Sequence, residues 1–130
     1  MIEVHSVGLN NLRFIEDALL KAARTKRSEI LYHAALGHEM WMLEVDEKIV
    51  GLASTFTDES DRFWLDRYYV EPKYRHTKAA YSLLKTAIGE YSGFVYFYID
   101  KDNERSGDRF YKNSTLITEN DERKIYKRRF

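Results

Sequence analysis

The chain has 130 residues, 44% hydrophobic and 32% charged, with 21 Lys plus Arg against 21 Asp plus Glu and no cysteine. That length fits one domain with one core. The composition is too apolar for a disordered chain, and zero formal charge shows none of the basic footprint usual in nucleic-acid binders. The missing cysteine excludes disulfides, thiolate nucleophiles and cysteine-ligated metals, and no apolar run approaches the roughly 20 residues of a membrane span.

The opening MIEVHSVGLNN has neither the basic nor the apolar segment of a signal peptide. With the absent cysteine, this favours a cytoplasmic setting. Residues 2–7 alternate as a strand. Asn10 or Asn11 is expected to cap a helix carrying Leu12, Ile15, Leu19 and Ala22 or Ala23 on one face. A second helix is expected over 28–36, begun by Ser28 and stopped by Gly37. Strands follow at 41–45 and 49–56, joined by an Asp46-Glu47-Lys48 turn, and a third at 63–70 ends at Pro72. Residues 78–91 form an amphipathic helix with Ala80, Leu83, Leu84, Ala87 and Ile88 on one stripe, broken at Gly93. The aromatic run 94–99 suits a central strand covered on both faces. A shorter helix is expected over 103–112, then strands at 116–118 and 124–130 around an Asn120-Asp121 turn. The basic tail RKIYKRRF reads as a charged edge strand.

The junction VEPKYRHTKAAYSLL carries the most chemistry. A strand runs through Pro72 into a short basic loop and then a helix. The first turn of a helix has unpaired N–H groups and the positive end of the dipole, so it can seat an anion. Arg75, His76 and Lys78 add charge there; the competing reading makes them solvated loop residues.

Val70-Glu71-Pro72-Lys73-Tyr74-Arg75, followed by His76-Thr77-Lys78-Ala79-Ala80, resembles the coenzyme-binding turn of the GCN5-related N-acetyltransferase (GNAT) superfamily. His76 and Lys78 stand where that family usually has Gly, and Ala80 is an accepted small residue. A second stretch, Asn103 then Arg109-Phe110-Tyr111-Lys112-Asn113, resembles the family's C-terminal motif, with Thr115-Leu116 in its Gly-Phe positions. The resemblance implies an α+β, three-layer fold over residues 1–130. Its central sheet would be mixed and mostly antiparallel, with helices on both faces, in the acyl-CoA N-acyltransferase manner. The strands around Leu65 and Phe97 would run parallel and splay apart.

The resemblance further implies acetyl-CoA as co-substrate, with no metal. Tyr69, Val70, Arg75, His76, Thr77, Lys78, Ala79 and Ala80 would hold it, and Asn103 would touch its pantetheine arm. Tyr111 would protonate the leaving thiolate. The partner would be an amine-bearing small molecule or a protein amine, rather than nucleic acid or membrane, and a homodimer is an assembly to be tested. Direct transfer needs a neutral amine, a polarised carbonyl and a proton acceptor. Asp66, on a strand that would line the cleft, is the candidate base, with Glu44 behind it; an ordinary strand-surface charge is the alternative for each. His5, His33, His38 and His76 are too dispersed in sequence to read as a metal site. A non-catalytic structural or interaction protein on the same fold remains the second reading, because the departures fall on glycines that touch the cofactor.

Overall fold

The structure, a computed structural model, describes residues 1–101 and 113–130. In chain order come β1 (Ile2–Ser6), a 3-10 turn at Leu12–Phe14, α1 (Asp17–Ala22), α2 (Arg27–Ala35), β2 (Glu39–Val45), β3 (Lys48–Thr57) and β4 (Phe63–Val70). A 3-10 turn at Pro72–Tyr74 leads into α3 (Lys78–Ile88), followed by β5 (Phe94–Asp100), β6 (Thr115–Glu119) and β7 (Arg123–Arg129). The strands form one sheet in the order β1-β2-β3-β4-β5-β7-β6. Only β4 and β5 pair in parallel; every other neighbour is antiparallel. That is the mixed, mostly antiparallel sheet that the resemblance implied.

Strand alternation splits the apolar side chains between two faces. On one face, α3 buries Ala79, Ala80, Leu83, Ala87 and Ile88 among Leu43, Val50, Ala53, Leu65 and Val95. Removing a leucine such as Leu83 from water contributes about 1.5–3 kcal/mol. Gly51 lets α3 sit this close: a Cβ there would lie 3.0 Å from the Tyr69 carbonyl oxygen and 3.2 Å from Leu83 Cδ2. On the other face, Ile15, Leu19, Leu20 and Ile30 pack on Met40, Met42, Ile49 and Leu52.

Several sequence expectations need correction. The first helix is broken between Leu12–Phe14 and α1, because the Arg27 guanidinium binds the carbonyls of Leu12 at 3.0 Å and Ile15 at 2.9 Å across the break. Asn11 caps nothing; its side chain accepts the Gly8 N–H and donates to the Ser6 carbonyl. Lys26, not Ser28, occupies the cap position of α2. Gly89, at φ +62°, ends α3 earlier than Gly93 would. On β5, only Val95 and Phe97 are fully buried and the rest are half-buried, so one face is covered completely and the other only in part. β7 is not an edge; it lies between β5 and β6, and the edges are β1 and β6. The helix expected over 103–112 lies outside the described residues. Among the described residues, no helix is long and apolar enough to cross a membrane.

Candidate active site

The parallel pair is short. β4 and β5 are in register only at Phe63↔Val95 and Trp64↔Tyr96, and beyond these the strands separate. A cavity of about 690 Å³ occupies the divergence, with walls from β4, β5, the start of α3 and the loop between α1 and α2. On β4, the Glu71 N–H donates to the Val50 carbonyl at 2.9 Å, toward β3. Successive residues alternate in direction, so the N–H and C=O of Val70 point into the gap. Arg75 Nε donates to that carbonyl at 2.7 Å, and its guanidinium lies over the Tyr69 ring. The Val70 N–H is left facing the gap.

The anion seat takes shape at the next turn. His76 has φ +63°, the left-handed conformation that glycine adopts freely and His tolerates better than most residues. The backbone path of a glycine is therefore kept although the glycine is not. Thr77 occupies the cap position but makes no side-chain cap; its hydroxyl donates back to the Tyr74 carbonyl. The first helical bond runs from the Tyr81 N–H to the Thr77 carbonyl at 3.1 Å. The N–H groups of Lys78, Ala79 and Ala80 precede it and have no carbonyl within the helix to bind. Tyr68 fixes this turn from below, its hydroxyl donating to the Ala80 carbonyl at 2.8 Å. Burial raises its pKa to about 12.

Tyr69, Val70, Arg75, His76, Thr77 and Ala80 all line the cavity. Lys78 is exposed and not among the residues that line the cavity, and Ala79 is buried in the core behind the turn. Asn103 and Tyr111 lie outside the described residues. Glu44 sits away from the cavity, 3.3 Å from His5.

Asp66 lines the cavity on the side of α1 and α2. The register slips there, with Ser54 opposite Arg67 but Thr55 opposite Leu65, so Asp66 is the extra residue of a β-bulge. Bulges re-aim side chains. Here Asp66 Oδ2 is buried without a hydrogen-bond partner among the described residues. His33 and His38 stand beside it, their Nδ1 atoms 2.9 Å apart, so two of the four histidines read as dispersed converge, while His5 lies in a separate group with Glu3 and Glu44. The left-handed Gly37, at φ +83°, turns the chain between them. Burial and then the neighbouring His33 lower the pKa of His38. Arg67 spans the group, 2.6 Å from Glu29 and 3.3 Å from His33 Nε2.

The family model described as the acetyltransferase (GNAT) family matches residues 10–114, which include the whole β4–α3 junction. The chain belongs to the GNAT acetyltransferase family. Solved structures agree at the level of fold. A GNAT acetyltransferase from Bacillus cereus is 19% identical with a TM-score of 0.72, covering 99% of this chain and 97% of its own. The PaiA N-acetyltransferase of Thermoplasma acidophilum, solved with coenzyme A, is 13% identical with a TM-score of 0.71, covering 100% and 99%. The ribosomal-protein-S18-alanine N-acetyltransferase of Escherichia coli is 14% identical with a TM-score of 0.76, covering 99% and 94%. No curated protein matches the sequence.

The sequence pointed to the backbone of residues 68–70 as a donor but not to the Tyr68 side chain, nor to Tyr98, Arg67 and the 22–25 loop, all of which line the cavity. For Tyr68 and Tyr98 the chain offers little signal, since they stand in aromatic runs where neither face nor depth is marked. Burial, then the charge of Asp66, raises the pKa of Tyr98.

Proposed function

We propose that the chain is an acetyl-CoA-dependent N-acetyltransferase that moves the acetyl group directly onto an amine. The observation that carries this reading is the uncapped start of α3 beside the mouth of the β4–β5 gap. Three N–H donors and the helix dipole are left for an anion there. The pyrophosphate of acetyl-CoA fits that donor set, with Arg75, His76 and Lys78 supplying charge. The cavity, running from this turn along β4, is of a size that takes a small cofactor or substrate.

In the proposed reaction, the Val70 N–H polarises the thioester carbonyl. The acceptor amine approaches from the side of α1 and α2, where Asp66 takes its proton, directly or through water. The amine nitrogen bonds to the acetyl carbon, the carbon–sulfur bond breaks, and the thiolate leaves with a proton. Tyr111 is the proposed donor of that proton and Asn103 a contact to the pantetheine arm, both on the sequence motif. The acceptor is a small-molecule or protein amine; one neighbour of similar fold is named for an alanine of a ribosomal protein. A cytoplasmic setting goes with the absent cysteine.

Calorimetric titration with acetyl-CoA and with free coenzyme A tests the binding half, and thiol release across a panel of amines tests the chemistry. Saturable binding with turnover is expected. No binding at millimolar ligand would sink the proposal. Binding without turnover on any amine would instead favour the non-catalytic reading of the fold.

A further inference from the structure

We propose that His33, His38 and Asp66 form a binding site for a divalent transition-metal ion of the zinc class. The three residues come from α2, from the turn before β2 and from the β4 bulge. Each brings one donor atom within 4.8 Å of the other two. Two observations point independently to a ligand. The two imidazoles turn the same nitrogen, Nδ1, toward one another at 2.9 Å. Asp66 Oδ2 is buried beside them with no donor among the described residues. Two nitrogens on one tetrahedral zinc, at about 2.0–2.1 Å from the metal, lie roughly 3.3 Å apart. A parting of about 0.4 Å therefore turns the hydrogen-bonded pair into a chelating one. Two imidazoles and one carboxylate make a set that zinc accepts, leaving a fourth position for water or another ligand.

The surrounding groups decide which tautomers serve. Arg67 only donates, so its Nη2 at 3.3 Å from His33 Nε2 makes that nitrogen an acceptor and places the His33 proton on Nδ1, against His38. Metal binding at Nδ1 moves that proton to Nε2. Glu29 lies one turn before His33 on α2 and already holds Arg67 at 2.6 Å. Once Arg67 swings away from His33 Nε2, Glu29, four residues earlier on the same helix, is the carboxylate that would accept the new N–H, as carboxylates behind metal-bound histidines do. No net proton is lost, and Glu29 offsets the charge of Arg67. A carboxylate engaged by a metal is a poor base. Occupancy would therefore withdraw Asp66 from acetyl transfer and make the ion an inhibitor. The binding claim stands without the acetyl-transfer reading; the inhibition rests on it.

The experiment titrates the whole chain, without coenzyme, with Zn²⁺ by calorimetry and with Co²⁺ by visible absorption. The expected result is a one-to-one site with the absorption of tetrahedral cobalt, weakened at least tenfold in His38→Ala and in Asp66→Asn. Asp66→Asn is nearly isosteric and guards against misfolding of the histidine variant. His5→Ala removes the surface group Glu3, His5 and Glu44, which also gathers three donors, and is expected to leave the site intact. No saturable binding, binding as tight in the Asp66 and His38 variants as in the wild type, or loss of the site in His5→Ala would overturn the assignment. Metal binding without inhibition of turnover would leave the site standing and remove Asp66 from the catalytic proposal.

Discussion

Replacing Tyr68 by Phe deletes one hydroxyl where β4 meets the first turn of α3. The lost bond is the 2.8 Å donation to the Ala80 carbonyl. A neutral hydrogen bond of this kind contributes about 0.5–1.5 kcal/mol net, so the Tm should fall by roughly 2–5 °C at neutral pH. The pH dependence is more diagnostic. Burial raises the Tyr68 pKa from 10 to about 12. A folded pKa above the unfolded one means the native state holds its proton more tightly. That stability is fully present below pH 10 and is lost as pH climbs toward 12. The rise corresponds to roughly 2–3 kcal/mol, enough to reverse the order of the two proteins. Urea unfolding of wild type and Tyr68→Phe at pH 7, 9, 10.5 and 11.5 provides the comparison. The other tyrosines and lysines titrate in both proteins and cancel in the difference. Wild type should be the more stable at pH 7, with the gap closing and then inverting above pH 10. A difference constant across the range would refute the burial argument. Coenzyme A affinity of the variant at pH 7 reports whether this hydroxyl also holds the seat in line.

Gly51→Ala should destabilise by about 1–3 kcal/mol in denaturant titration, because its Cβ would meet the Tyr69 carbonyl oxygen at 3.0 Å and force β4 or α3 to shift. Asp58 accepts from Trp64 Nε1 and from the backbone N–H groups of Arg62 and Ser60, and these hold its pKa below the ordinary value. Its contribution is present above the usual carboxylate range and lost as pH falls through the depressed value, so Asp58→Asn should flatten the acid limb of a pH–Tm profile. Arg75→Glu should weaken coenzyme A binding at least about tenfold by calorimetry, through lost charge and through release of the Val70 carbonyl; unchanged affinity in a folded variant would remove Arg75 from the site. Tyr111→Phe should lower kcat by about 10²–10⁴-fold if its hydroxyl protonates the thiolate, and equal kcat would rule that role out.

What the sequence made legible follows from where information sits along a chain. The stripe Ala80, Leu83, Ala87, Ile88 marks α3 and its buried face without help from elsewhere. The strand–helix–strand order from Phe63 to Asp100 makes the parallel crossover the natural connection. The break before α1 was hidden because the group that stabilises it, Arg27, arrives 12 to 15 residues later. The interior position of β7 was hidden for a similar reason: alternation identifies a strand but says nothing of its neighbours. The Asp66 bulge appears only when β3 and β4 are set side by side. His33 and His38 are five residues apart across a helix end, a spacing with no meaning until the left-handed Gly37 folds one back on the other. At His76 the residue type argued against a glycine-like turn, yet the backbone adopts one.

The two-rung contact between β4 and β5 also bears on mechanics. It divides the sheet into a four-strand plate, in which each strand pairs with its sequence neighbour, and a three-strand plate of β5, β7 and β6. The plates are riveted near Phe63 and Trp64, and α3 packs on β1 through β4 over a core that reaches Val95 and Phe97. An extended molecule lying in the opening would supply the missing rungs itself, bonding to backbone on both banks. Filling the gap would then stiffen the three-strand half of the sheet, and amide protection would rise along β5 and β7 well beyond any residue that the molecule touches.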